Sequence, residues 1–429
     1  MMLSVLLSLL TLVGCLGDSG PAPLPSSPLP LAPVQTGAQR LVTSDFAALA
    51  EITPARAPRV GLVTNHTARV DTSDGGPAHL IDRMLMSEAV ELAALFGPEH
   101  GIRGDAEAGA RVDDDASSVP IYSLYGSNKK PTRAQTRGLD VLVFDMQDIG
   151  ARFYTYISTM GYAMQAAAEA GIPFVVLDRP NPIGDRVEGW TLEPEHESFV
   201  GLYPIPVTHG LTVGELARMI QGEGWLNGLA NLDLQVIEME GYTRTMAWED
   251  TGLPWVAPSP NIPDVETARI YPGAAFFEGT TASEGRGTLE PFKLVGAIGA
   301  NAEAIATDLN GRGLAGVRFE AEDFVPRDLP GQATNPKGEG ETVAGIRTVV
   351  TDASSFEPVV VGVHVLDAVY RDARSTRSFF KPDWLAKLAG TRQFHAALRR
   401  GDAPEAIIAS WAEDASAFRQ LAESYRLYE

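Results

Sequence analysis

One cysteine and seven histidines in 429 residues are the first constraint. Without a second thiol the chain can form neither an internal disulfide nor a cysteine-based zinc site, so core packing must hold the fold. The sequence also lacks a G-x-S-x-G elbow, a Walker phosphate loop, an H-E-x-x-H pair and a G-x-G-x-x-G after its first strand. Serine hydrolase, nucleotide phosphotransfer, zincin and dinucleotide chemistries all lose support. Basic charge is scarce too: 34 Lys and Arg stand against 55 Asp and Glu, a formal net charge of −21. Nucleic acid, whose phosphates demand a basic face, is therefore not an expected partner. Neighbouring aspartates without further ligands make no metal site, so neither a metal nor a cofactor is expected.

The lone cysteine is informative by position. Met1 to Leu12 is an almost unbroken apolar run that leads to Leu12-Val13-Gly14-Cys15, the small-residue site at which a lipoprotein signal is cut before an acylated cysteine. The run has no Lys or Arg, unlike most secretory signals, but it stops short of the roughly 20 apolar residues a membrane span needs. Residues 1–14 are thus expected to be a signal peptide and Cys15 the lipidated residue. Export follows, with the protein anchored in a membrane and facing the periplasm or cell exterior. Residues 15–38, rich in Pro, Ser and Gly, read as a tether, and the globule is expected to begin near Gln39.

Beyond the tether, short apolar runs alternate with helical stretches, the pattern of a parallel sheet with crossover helices. Val60–Thr64, Val90–Phe96, Asp140–Phe144 and Phe174–Leu177 read as strands, and Ala78–Glu88 and Ser158–Ala170 as helices. The expected architecture is α/β: a Rossmann-like domain over 39–290 and a smaller auxiliary α/β domain over 291–429. In the latter, helices at Ala300–Leu309 and Val359–Tyr370 alternate with strands at Val317–Phe319 and Gly345–Val350. Helical segments at Pro404–Trp411 and Ala415–Tyr428 close the chain.

Each of the four strands runs into polar residues: Asn65 and His66, Glu99 and His100, Asp145, Gln147 and Asp148, then Asp178, Arg179 and Asn181. Parallel strands with right-handed crossovers bring these ends to one edge, outside which open α/β sheets bind their ligands. Any one such residue is more often a turn former or helix cap, but four clusters on one edge mark a site. Arg152-Phe-Tyr-Thr-Tyr156 sets Tyr154 close to Asp148 as a sugar platform, with core packing the competing fate. His209 reads equally as a cap-region residue or a sugar ligand. The loop Phe276–Thr288 sets Glu278, Glu284 and Arg286 among glycines, which serve turns or a ligand-closing loop alike. Arg103 and Arg286 are candidates to hold a substrate carboxylate, an ion pair within the protein being the commoner use. With sulfur and imidazole scarce, carboxylates are the best-supplied catalytic groups, as glycosidic cleavage requires.

The strings GLVTNHTA, LFGPEHGIRG, DVLVFDMQDIGARFYTY, VLDRPNPIG, PVTHGLTVGELA, SPNIP and EGTTASEGRGT follow one another in this order. Together they resemble the signature segments of the NamZ-type exo-β-N-acetylmuramidases, from about Val60 to the C-terminus. Ser283 and Asp185 stand where that pattern usually has glycine. The resemblance implies a cleft between the two domains and release of N-acetylmuramic acid from the non-reducing end of peptidoglycan-derived muramyl saccharides. It implies Glu99 as general acid and His100 as a substrate or orienting contact. Asp145 or Asp148, with Glu284 as an outside candidate, would act as nucleophile or would orient a substrate acetamido group that attacks in its place. Asn65, His66, Tyr154, Asp178, Arg179, His209 and Arg286 would contact sugar. The rival reading from another class is a non-catalytic sugar-binding lipoprotein, and a same-fold glycosidase for another glycan is a third.

Overall fold

The computed structural model describes residues 33–72, 76–102, 119–373 and 378–429. The expected signal peptide, Cys15 and Arg103 lie outside the described residues. Six strands form one parallel sheet: β1 (Arg59–Thr64), β2 (Glu91–Gly97), β3 (Ile121–Ser123), β4 (Val141–Asp145), β5 (Phe174–Leu177) and β6 (Leu234–Ile237), in the order β6-β5-β4-β1-β2-β3. β4 and β5 are buried along their whole length, as parallel strands covered on both faces must be. Alternation assigns the faces. Leu142 and Phe144 join the core beneath α3 (Tyr156–Ala170) and α4 (Val213–Gly222). Val141 and Val143 join the core of α1 (Gly37–Thr43) and α2 (Leu80–Met86).

The folded chain starts ahead of Gln39, inside the expected tether. Gln35 bridges to Glu240, and the Gly37 N–H donates to the Asp178 carbonyl at 2.8 Å. The helix expected from Ala78 begins at Leu80 instead, because Pro77–His79 pairs with Arg69–Asp71 and the His79 ring caps the helix by accepting from the Ile81 N–H. Strands β3 and β6 were not foreseen; one has three residues, and the other is a half-buried edge strand without alternation.

The second region holds an antiparallel sheet of β7 (Leu294–Ala297), β8 (Val317–Ala321) and β9 (Ala344–Val350), in the order β7-β9-β8. Around it lie α5 (Val265–Ala274), α6 (Ala302–Gly311) and α7 (Pro358–Asp372). Packing of α5 on α7 begins ahead of the expected cut at Pro291. The contact is close: a Cβ on Gly362 would come within 2.3 Å of the Gly273 Cα, so any side chain there would force the helices apart. Helices α8 (Pro382–Ala389), α9 (Gln393–Arg400), α10 (Pro404–Ala409) and α11 (Ala412–Ala422) follow. One hydrophobic core runs from Phe144 and Met160 through to Ile346 and Val363, joining both regions.

Candidate active site

The polar residues after the strands share one edge of the sheet, and the structure divides them into two layers. In the first layer Asp145 and Asp178 are taken up by bonds within the protein, whereas Asn65 Nδ2, His66 Nδ1, Asp148 Oδ1 and His209 Nε2 are buried without a hydrogen-bond partner among the described residues. Asp145, fully buried at the end of β4, accepts from Arg179 Nε at 2.5 Å and Nη2 at 3.0 Å. Asp178 accepts from Thr212 Oγ1 and Tyr428 Oη at 2.7 Å and from the Gly214 N–H at 2.8 Å, tying the start of α4 to the C-terminus. Burial pushes its carboxyl up to about 6 against these bonds. Asn65 Oδ1 accepts from the Thr67 hydroxyl and N–H, and His66 Nε2 donates to the Ala257 carbonyl at 2.6 Å.

Asp148 and His209 make a buried pair in the same layer. His209 Nδ1 accepts from the Leu211 N–H, which leaves the ring proton on Nε2, 3.9 Å from Asp148 Oδ2. Asp148 Oδ2 also accepts from the Gly150 N–H at 2.7 Å. Burial drives both groups toward their neutral forms, raising the Asp148 carboxyl to about 7 and lowering the His209 imidazole to about 3.

The second layer faces a cavity of about 240 Å³ between the two regions. Of the predicted residues, Glu99, His100, Tyr154 and Arg286 line it. Asn65, His66, Asp145, Asp148, Asp178, Arg179, His209 and Glu284 are not in its lining. The expectation that Asp145 or Asp148 supplies the second catalytic group therefore meets a geometric obstacle: one is saturated by Arg179, and the other belongs to the buried layer.

Glu99 owes its position to a tight turn after β2. The Gly101 N–H returns to the Pro98 carbonyl at 3.0 Å, and His100 takes φ 69° at the third position of the turn, where a type II turn requires positive φ and ordinarily has glycine. A side chain held there against steric preference is typical of functional sites. Thr155 donates its hydroxyl to Glu99 Oε2 at 2.6 Å. That hydroxyl stands at the N-cap of α3 and makes no capping bond, so the helix start gives up its usual cap to hold the glutamate.

Aromatic rings wall the cavity. Tyr271 packs edge-on to Phe153 at 5.5 Å and to Phe292 at 4.7 Å, and Tyr154 lies beside it. Trp384 of α8, 36% exposed, stands at the rim with Leu388. Residues 275–279 form a 3₁₀ turn that inserts Phe276 and Phe277 into the core and leaves Glu278 facing the cavity. The glycine-bearing loop is thus a packed wall. Gly285 and Gly287 take φ 74° and 82°, and a Cβ on Gly285 would meet the Leu294 carbonyl at 2.4 Å. Glu284 is held by Lys337 Nζ at 2.7 Å, and Arg286 stacks over Phe292 at 5.3 Å.

Among the lining residues that were not site candidates are Thr155, Ser259, Asn261, Tyr271 and Trp384, together with Glu278, noted only as part of the glycine loop. Ser259 and Asn261 fall within the SPNIP string, and Glu278 opens the glycine loop, so a local signal existed for these three. Tyr271 and Trp384 lie within helices, where an aromatic residue reads as core. A second hollow of about 290 Å³, lined by Arg186, Arg244 and Arg269, contains none of the predicted residues.

Comparison with known proteins agrees with this architecture. Residues 60–266 match the family description "Exo-beta-N-acetylmuramidase NamZ, N-terminal" and residues 269–428 its C-terminal counterpart. The chain is 43% identical over 374 residues to the peptidoglycan beta-N-acetylmuramidase NamZ of Bacillus subtilis strain 168, covering 86% of this chain and 87% of that protein. Two crystal structures of DUF1343 family proteins from Bacteroides fragilis NCTC 9343 superpose on it. One has a TM-score of 0.82 and 34% identity over 92% of this chain and 99% of the other. The second has a TM-score of 0.73 and 32% identity over 93% and 99%.

Proposed function

The chain belongs to the NamZ family of exo-β-N-acetylmuramidases, and we propose that it hydrolyses peptidoglycan fragments from their non-reducing end, releasing terminal N-acetylmuramic acid. The observation that carries this reading is the placement of Glu99 in an aromatic-walled cavity with one carboxylate oxygen held by Thr155. In this proposal the Glu99 carboxyl delivers its proton to the glycosidic oxygen as that oxygen's bond to C1 breaks. A hollow of this size suits a terminal sugar better than a threaded glycan. Tyr154 and Tyr271 offer apolar faces with polar tips for the ring, and Arg286 offers a guanidinium fork for the lactyl carboxylate.

Asp145 and Asp148 lie outside the lining, so the nucleophile in this proposal is the substrate's own acetamido carbonyl, which attacks C1 as the leaving oxygen takes the Glu99 proton. Water then opens the cyclic intermediate. Export and anchoring through a lipid on Cys15 complete the proposal. Incorporation of labelled fatty acid, abolished in Cys15→Ser, is the expected result.

The test of the activity is release of N-acetylmuramic acid from a muramyl-glucosamine disaccharide, run beside Glu99→Gln. Release that collapses in a folded variant supports both function and acid. Binding without release by the wild type favours a sugar-binding lipoprotein, and activity that survives the substitution removes Glu99 from its role.

A further inference from the structure

We propose that Glu278 and Arg286 form an exchangeable ion pair that distinguishes a muramoyl end from a glucosaminyl one: the lactyl carboxylate takes the place of Glu278 on Arg286, and Glu278 takes up a proton as it is displaced. This rests on the reading that the cavity holds terminal N-acetylmuramic acid.

Arg179 presents Nε and Nη2 to Asp145, and both are filled, at 2.5 and 3.0 Å. Arg286 presents the same edge within the cavity, and it is half used. Nη2 meets Glu278 Oε1 at 3.5 Å, and Nε is 3.9 Å from Glu284 Oε1. Charge-assisted N–H···O bonds run to about 2.7–2.9 Å, so neither acid is gripped. Arg286 Nε is buried and makes no hydrogen bond among the described residues. A planar carboxylate placed against this edge would satisfy both nitrogens at once. Glu284 is not the acid that moves, because Lys337 Nζ already holds it at 2.7 Å.

Glu278 would not remain charged after losing Arg286. The groups that act on it are Arg286, Glu284, Lys337 and Glu99, with the Tyr271 ring beside them. Lys337 is committed to Glu284, and the incoming lactyl group adds a third carboxylate to the cavity. Burial already raises the Glu278 carboxyl above its ordinary range, with Arg286 the chief opposing influence. Removing that influence favours protonation. By linkage, a ligand whose binding takes up a proton binds more weakly as pH rises. The loss approaches tenfold per pH unit between the free and bound values of Glu278. N-acetylglucosamine, which lacks the lactyl ether, leaves Arg286 and Glu278 paired and binds without this dependence.

Calorimetric titration of the full-length protein with N-acetylmuramic acid, in two buffers of different ionisation enthalpy at one pH, tests the exchange. The expected result is uptake of about one proton per N-acetylmuramic acid bound and of none for N-acetylglucosamine. In Glu278→Gln the uptake disappears, muramic acid affinity becomes independent of pH, and at pH 8 it exceeds that of the wild type because no acid competes for Arg286. A purely structural Glu278 would instead weaken both sugars at every pH. Should the variant fail to fold, proton uptake by the wild type still decides. Muramic acid binding without proton uptake, or equal uptake with both sugars, overturns the exchange and leaves the exo-muramidase reading intact. Failure to bind muramic acid, together with failure to release it from the disaccharide, overturns both.

Discussion

Two arginines meet acids with the same guanidinium edge and end in different states. Arg179, at the carboxyl end of β5, closes bidentately on Asp145 and is finished. Arg286, in the cavity wall, touches Glu278 and Glu284 loosely and keeps Nε without a partner among the described residues. The same contrast separates the layers to which they belong. Behind the cavity, Asp145, Asp178, Asn65 and His66 have their main bonds to the protein itself, which makes them a platform. In front, charged and polar groups line the cavity, which is what a ligand site requires. A polar residue at a sheet edge therefore says where a site lies; whether its side chain lines the cavity is decided by the fold.

The largest effects should fall on opposite sides of that division. Glu99→Gln is expected to lower the rate of muramic acid release by roughly 10²–10⁴-fold, the range for loss of a general acid, with an unchanged denaturation midpoint. Asp145→Asn should do the reverse. Stranding Arg179 without its buried counter-charge is expected to cost roughly 3–5 kcal/mol of stability in chemical denaturation, with normal turnover by the fraction that remains folded. A stable but inactive Asp145 variant would break the comparison.

The Asp148–His209 pair gives a sharper test of the platform, through pH. Unfolded, the two titrate near 3.8 and 6.5; folded, near about 7 and about 3. Between about pH 4 and 6.5 the unfolded pair keeps one proton on His209 and the folded pair keeps one on Asp148, so stability should be flat there. Asp148→Asn leaves the depressed histidine alone. Its contribution is present above pH 6.5 and lost as pH falls toward 3, at about 1.4 kcal/mol per pH unit. His209→Gln leaves the raised carboxyl alone, and stability is then lost as pH rises from 4 to 7. Denaturation curves across this range check both signs, and a strongly sloping wild type would reject the one-proton description.

Thr155→Val should have the smallest effect. Its hydroxyl holds Glu99 and caps nothing, so removing one hydrogen bond, worth about 0.5–1.5 kcal/mol, is expected to appear as a roughly tenfold or smaller fall in kcat with little change in melting temperature. A stability loss with normal kcat would return Thr155 to the platform.

Much of this organisation was legible in advance. Apolar runs at Val60, Val90, Asp140 and Phe174 gave four strands and their common edge because a strand buried on both faces has almost no polar residue to obscure it. Glu99 was one of several polar residues that follow such strands, and only the resemblance of its GPEHG string to the NamZ-type segments set it apart. Thr155 and Trp384 did not stand out, since each depends on a partner far along the chain: the Thr155 hydroxyl reaches a glutamate 56 residues away, and Trp384 joins the cavity only through the packing of the second region.

The sequence by itself determined the periodicities, turns and charge supply, and with them the α/β class and the edge at which polar residues gather. Tertiary structure alone decided which of those residues are used up. Whether a carboxylate is consumed depends on distant partners, such as Arg179 for Asp145 and Lys337 for Glu284, and on burial, which no local pattern encodes. Distance and burial set the free energy of a charge, and both are properties of the folded chain.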